Sequence, residues 1–329
     1  MQTNDDALLD DIVLLAERKN LSIARGSIKS LPSTGFMSKV FGAQTGRGPA
    51  IIHLVQTPVE EQLYQNVPQK IDTISRLLQH IPEVPKIYAT GELPKGGYFL
   101  VQELKSGTPL GKRSYRDHVF TDEFLVDDPN VYLPELQEIL LLVHSVTSDK
   151  FGYIDFSKKI PIAIQDSWTD FLSVNLERNL QTLSASEKAH GISYFDSISI
   201  DETLNRALSI IDAHEELFKI DRAHLIHGDI CNYSNVLISD TTIEGIVDFE
   251  WSLFGHPAWE FVFTKSPPLD TYIPKAIEKG IISPDLDFHR SIELHNIFWC
   301  AWGAAVHAGD PEFGPSLFST FSDALVKNS

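Results

Sequence analysis

Apolar residues recur along this chain with two different periods, and the change from one to the other divides it. Leu8, Leu9, Ile12, Val13 and Leu15 follow a helical spacing, with Asn4 or Asp5 as the cap. Residues 39–45 and 50–55 read as short strands on either side of Gly46-Arg47-Gly48, which predicts a β-hairpin. Pro68 suits the first turn of a helix reaching about His80, with Ile71, Ile74, Leu77, Leu78 and Ile81 as its buried stripe. Pro82 and Pro85 end it. Residues 86–89 and 98–103 then predict two more strands about a turn at 94–97.

Beyond Gly107 the helical period dominates, over 133–146, 168–183, 201–218, 289–307 and 315–327. Short strands are expected only around Leu225, at 236–238 and at 243–247. The expected organisation is α+β with two lobes and a boundary near Ser106. A small sheet-rich lobe spans 1–105, and a larger, mainly helical lobe spans 106–329. A cleft between lobes is a common place for a cofactor.

Composition narrows the function classes. With 43% apolar and 22% charged residues, most of the chain is expected to fold rather than stay disordered. The formal net charge of −18 opposes nucleic-acid binding and favours a cationic small molecule. The start, Met-Gln-Thr-Asn-Asp-Asp, has no signal-peptide pattern, and the apolar run at 139–143 is too short for a bilayer. Cys231 and Cys300 cannot build a disulfide framework. A cytoplasmic protein without a membrane partner is expected; its oligomeric state is not readable.

The chemistry concentrates in residues 225–250. His227, Asp229 and Asn235 form one polar cluster and Asp248 and Glu250 a second, separated by two apolar strands. A hairpin brings its ends together, so Asn235 and Asp248 should be close in space. Phosphoryl transfer needs a carboxylate at the acceptor hydroxyl and hard oxygen ligands for Mg2+ on the nucleotide phosphates. Asp229 suits the first task; Asn235 and Asp248 suit the second.

His227-Gly228-Asp229, Asn235-Val236-Leu237 and Ile246-Val247-Asp248-Phe249-Glu250 together resemble the aminoglycoside phosphotransferase and choline kinase family. Gly255-His256-Pro257-Ala258-Trp259-Glu260, Val84 to Ile87, Tyr98 to Glu103, Leu140 to His144 with Phe151-Gly152, and Trp168 to Phe171 extend the likeness over roughly 33–265. The resemblance implies the bilobal protein-kinase-like fold and transfer of the γ-phosphate of ATP or GTP, with Mg2+, to a hydroxyl of a small molecule. It implies Asp229 as catalytic base and Asn235 and Asp248 as metal ligands. It places the nucleobase at Gln102, Glu103 and Leu104, and the phosphates under a loop at 33–39 that includes Ser38. Glu250, Glu260, Glu293 and Trp299 are candidates for the acceptor side. An aminoglycoside-like antibiotic fits the acidic balance; a macrolide, choline, an amino alcohol or a sugar remains open.

The chain departs from the pattern in three places. Five residues rather than four separate Asp229 from Asn235. His53 stands on the strand where the family has a lysine or arginine, and Asp72 is the nearest acidic partner on the next helix. His256 stands where the family usually has Asp. These leave a second reading open, a non-catalytic, pseudokinase-like module that binds a nucleotide or ligand. Retention of Asp229, Asn235 and Asp248 argues against it.

Several residues have plainer readings. His227 is expected to bond backbone within its loop, Asn232 to be a solvated turn residue and Cys231 to pack. Residues 121–128 read as a solvated acidic loop. Glu293, Trp299 and Trp302 are expected near one face of their helix.

Overall fold

A computed structural model describes residues 4–31, 39–55, 67–94, 96–116, 119–155, 162–195, 198–230, 233–262 and 269–328. Two compact units divide the chain: Met1–Thr108 with Asn235–Glu250, and Pro109–Ser234 with Trp251–Ser329. Among the described residues no helix is long and apolar enough to cross a membrane.

In the first unit, α1 (Asn4–Glu17) precedes an antiparallel sheet of β1 (Lys29–Ser30), β2 (Lys39–Thr45), β3 (Gly48–Val55), β4 (Ile87–Glu92) and β5 (Tyr98–Glu103). The spatial order is β1-β2-β3-β5-β4. The predicted hairpin forms, with register running from Lys39↔Leu54 to Thr45↔Gly48. Ile52, Leu54, Phe99 and Val101 share one core cluster with Leu8, Leu9 and Ile12 of α1. Strand alternation therefore turns His53, Leu100 and Gln102 to the opposite face.

Helix α2 (Val67–Leu77) lies against β4 and β5. Ile74, Leu78 and Ile81 of the expected stripe are buried, but Leu77 is 40% exposed, and Lys70 joins the row of Ile74 and Leu78. Positions i, i+4 and i+8 stack on one side of a helix, so this row puts a lysine among the apolar contacts.

The hairpin β13 (Val236–Ser239) and β14 (Thr242–Ile246) groups with this first unit, not with the rest of 106–329 as a single cut near Ser106 would have it. The reason is a set of specific contacts. The Ile246 amide donates to the Glu83 carbonyl at 2.9 Å, and the Ser106 hydroxyl donates to Glu244 at 3.1 Å. Gly107 has φ +100°, and a Cβ there would lie 2.6 Å from the Ile238 carbonyl oxygen. Only glycine fits where the chain runs this close to β13 and enters β6 (Thr108–Pro109).

The second unit holds the hairpin of β7 (Gly111–Arg116) and β8 (Val119–Phe124). It also holds a sheet of β9 (Thr147–Ser148), β10 (Phe151–Asp155), β11 (Ile162–Gln165), β12 (Ala223–Ile226) and β15 (Leu253–Gly255). Its order is β11-β10-β15-β12-β9. Helices α3 (Leu133–His144), α4 (Trp168–His190), α5 (Ile200–Ala213), α6 (Glu215–Phe218), α7 (Leu269–Glu278), α8 (Phe288–Val306) and α9 (Phe313–Asn328) surround it. Ser167 caps α4 at its start, and left-handed Gly191 ends it.

Beyond Gly107 strands were expected only around Leu225, at 236–238 and at 243–247, so β6, β7, β9, β10, β11 and β15 are additions, and three further elements also differ. The helix expected over 201–218 breaks at His214, whose φ of −132° is not helical. Residues 121–124, read as loop, belong to β8; Asp117-His118 before it carries no glycine or proline to signal a turn. Helix α7 was not expected, and it contains Pro274.

Candidate active site

The chemistry of the second unit begins where β12 ends. All four β12 residues are buried, so the chain leaves the sheet at His227 as a fixed point. Glu260, 2% exposed, lies beneath the turn. Its carboxylate accepts from the His227 amide at 2.6 Å and from the Gly228 amide at 3.0 Å. The Ser252 hydroxyl donates to the His227 carbonyl at 3.0 Å. Gly228 takes φ +84°, and a Cβ there would meet the Trp251 carbonyl oxygen at 2.6 Å. The Asp229 amide donates back to His227 Nδ1 at 3.2 Å, the backbone role expected of that histidine. Asp229 itself is partly exposed at the end of this braced turn.

The brace continues inward. His144 Nε2 lies 3.5 Å from the Glu260 carboxylate, and His144 Nδ1 lies 2.6 Å from the Tyr272 hydroxyl of α7. Burial opposes charge on Glu260. The His144 bond, the His144 and His227 rings and the His227 amide outweigh it and hold the carboxyl below its ordinary range. Glu260 therefore anchors the loop that carries Asp229. This differs from the expected acceptor contact, because a fully buried carboxylate engaged by two amides does not meet a substrate. His256, in the position usually held by Asp, caps the next turn by accepting from the Ala258 amide at 3.0 Å. Burial, with His295 and His224 nearby, keeps that ring neutral.

In the first unit, Val236 pairs with Ile246, and the Val247 amide donates to the Asn235 carbonyl at 2.9 Å. Asn235 and Asp248 therefore flank the same end of one hairpin, as its length predicts. Asn235 is buried, while Asp248 is exposed and left-handed at φ +71°. A non-glycine residue in that region costs about 1–3 kcal/mol and is found where the surrounding structure enforces it. An amide and a carboxylate side by side form a hard-oxygen pair that suits Mg2+, which keeps most of its ligands as water and phosphate oxygen.

On the face of the sheet away from α1, the Gln102 side-chain amide lies 3.3 Å from His53 Nε2. An amide nitrogen only donates, so that ring nitrogen accepts. Burial lowers the His53 pKa to about 4, and the ring is neutral at physiological pH. The Glu103 amide donates to the Lys86 carbonyl at 2.8 Å, and the Leu104 amide to the Pro49 carbonyl at 3.2 Å. Ser38 lies outside the described residues, as do Cys231 and Asn232.

Asp72, the acidic candidate on α2, pairs with Arg76 at 2.7 Å on the same helix. Buried on the same helix instead is Lys70, which sequence reading missed. Its ammonium donates to the Glu250 carbonyl. Burial lowers its pKa to about 8, against the opposing pull of the Glu250 and Asp248 carboxylates. The missed signal was the row 70, 74 and 78, which a search for apolar positions alone passes over.

The remaining acceptor-side candidates separate. Glu293 is exposed and pairs with Arg290 at 2.8 Å. Trp299 is buried 5.4 Å from Trp302, which in turn packs 4.8 Å from Trp251. Glu293 thus does not share the tryptophan contact surface; positions six apart fall on different sides of a helix. Burial pushes the Cys300 thiol up to about 12, so it packs as an inert side chain.

No curated protein sequence matches the chain. Solved structures share its fold. A thermostable mutant of aminoglycoside phosphotransferase APH(4)-Ia, in ternary complex with ADP and hygromycin B, is 17% identical over 96% of this chain and 97% of that one, with a TM-score of 0.60. The macrolide 2'-phosphotransferase MphH from Brachybacterium faecium is 15% identical over 95% and 97%, with a TM-score of 0.60. The GDP complex of wild-type aminoglycoside 2'-phosphotransferase-IIIa is 16% identical over 97% and 98%, with a TM-score of 0.55. The family model described as phosphotransferase enzyme family (APH) matches residues 32–273. With that match spanning most of its length, the chain belongs to the phosphotransferase enzyme family and is a small-molecule kinase on a protein-kinase-like fold.

Proposed function

We propose that this enzyme transfers the γ-phosphate of ATP or GTP to a hydroxyl of an amine-bearing small molecule, with an aminoglycoside-like antibiotic as the leading class. The hairpin that sets Asn235 beside Asp248 carries the reading, because an amide and a carboxylate at one hairpin end would suit Mg2+. Asp229 is the group assigned to the acceptor hydroxyl. Its carboxylate orients the O–H and takes the proton as the oxygen attacks phosphorus in line, with no covalent enzyme intermediate. Bound Mg2+ would neutralise charge on the phosphates. The amine preference rests on the net charge of −18. A cytoplasmic location, where ATP and GTP are plentiful, fits the same reading.

A nucleotide-binding module without turnover is the second reading, and the neutral His53 is the observation that favours it. A thermal-shift screen of ATP and GTP with Mg2+, followed by hydroxyl compounds, identifies donor and acceptor class. Asp229→Ala is then expected to lower phosphorylation by about 10²–10⁴-fold with nucleotide affinity nearly unchanged. Full activity in that variant removes Asp229 from the mechanism. Nucleotide binding by the native chain without turnover on any hydroxyl compound supports the module.

A further inference from the structure

We propose that Lys70 of helix α2 is the cation that meets the nucleotide phosphates, in place of a basic side chain on strand β3. The proposal rests on the nucleotide-dependent function above and says which residue of this chain replaces the missing lysine.

Three observations lead to it. First, strand β3 offers no charge at the expected position. His53 accepts from the Gln102 amide through Nε2, so its ring nitrogen is already engaged within the sheet. Second, Lys70 is only 7% exposed, in one row of α2 with the buried Ile74 and Leu78. A buried ammonium is costly unless anionic or acceptor groups surround it. Those groups are the Glu250 carbonyl, which it bonds, and the carboxylates of Asp248 and Glu250. The one deeply placed cation of α2 is thus directed at the segment that carries the proposed metal aspartate. Third, other cations of this unit are engaged away from it. Arg25 pairs with Asp6 and Asp10, Arg76 with Asp72, and Lys105 with Glu103.

A divalent metal on one carboxylate leaves a triphosphate strongly anionic, and phosphoryl transfer depends on fixed positive charge at those oxygens. A lysine beside Asp248 supplies such a charge next to the metal. In the structure this ammonium bonds the Glu250 carbonyl, which keeps it compensated. Phosphate binding would then exchange a neutral acceptor for an anionic one. Phosphate contact would also be tied to the position of α2, where a strand lysine would tie it to the sheet.

Two variants remove the charge in different ways. Lys70→Gln keeps a donor for the Glu250 carbonyl, and Lys70→Met keeps the aliphatic bulk. Melting curves of both against the native chain report folding. Calorimetric titrations are run with ATP and GTP in Mg2+, the same nucleotides in EDTA, and adenosine and guanosine. Both variants are expected to bind the preferred triphosphate at least about tenfold more weakly, with metal and without it. The parent nucleoside should bind as before. A loss confined to the Mg2+ titration means that Lys70 acts only through Asp248, and it overturns the phosphate contact. Equal loss for triphosphate and nucleoside overturns it too, as a structural role. If the native chain binds the triphosphate and the folded variants bind it equally well, this inference alone fails. If the native chain binds no nucleotide, the function proposed above fails with it.

Discussion

Glu260 shows how one side chain can carry two residues it does not resemble. Its two oxygens accept from the amides of His227 and Gly228, so Asp229 starts from a backbone already fixed by a buried anion. Replacing the carboxylate by an amide leaves one acceptor and turns an N–H toward a backbone N–H. Glu260→Gln is therefore expected to lose about 1–3 kcal/mol of stability. It should lower kcat while leaving the nucleotide Kd near its native value, since the nucleotide side of the protein is untouched. Denaturant melts and steady-state kinetics on the same preparation check both parts. An unchanged kcat removes Glu260 from loop positioning. The role of His227 was legible from sequence because His227-Gly228-Asp229 resembles a catalytic loop in which the histidine bonds backbone. The role of Glu260 was not, because a glutamate in Ala258-Trp259-Glu260 reads equally as a surface anion until its burial is seen. Lys70 was hidden for the converse reason: a charged residue in an apolar row is discounted by any search for the apolar row itself.

At the scale of elements, the strands and long helices followed from periodicity, since 39–45, 98–103 and the span of α8 each carry an unmixed pattern. What failed was short or interrupted. α7 is ten residues with an internal proline, and the Asp117-His118 sequence between β7 and β8 has neither glycine nor proline. The cost of missing α7 was specific, because its Tyr272 completes the chain of contacts from His144 to Glu260. The hairpin β13–β14 was the opposite case. Its length alone placed Asn235 beside Asp248.

The elements beneath the loop also set a pH dependence. Trp168 donates to His295 Nε2 at 2.7 Å, and His224 Nδ1 lies 2.6 Å from the His144 carbonyl. Burial lowers His224 and His295 to about 4, and it also holds His256 well below its ordinary value. Each folded value lies below the unfolded value near 6.5, so the unfolded chain takes up protons first as pH falls. Their contribution is intact above about 6.5 and is lost progressively down to about 4, by up to about 1.4 kcal/mol per pH unit for each ring. Urea midpoints should drop steeply between pH 6.5 and 5 and hold level from 7 to 8. A midpoint unchanged down to pH 5 contradicts neutral burial of these histidines.

For the molecule as a whole, neither unit is a continuous stretch of chain. The first unit ends at Thr108 and resumes only with Asn235–Glu250. A fragment of residues 1–108 lacks the hairpin that accepts Ser106 and covers the Glu83 carbonyl and Gly107. Circular dichroism of that fragment is expected to show a lower, broader melt than the full chain. A fragment as cooperative and stable as its parent would mean the hairpin adds nothing to the unit. During synthesis the same gap becomes a delay. At about 5–20 residues per second, the ribosome reaches Glu250 on the order of ten seconds after Thr108. The nascent amino-terminal part must wait that long before the strands that bond Glu83 and Ser106 exist.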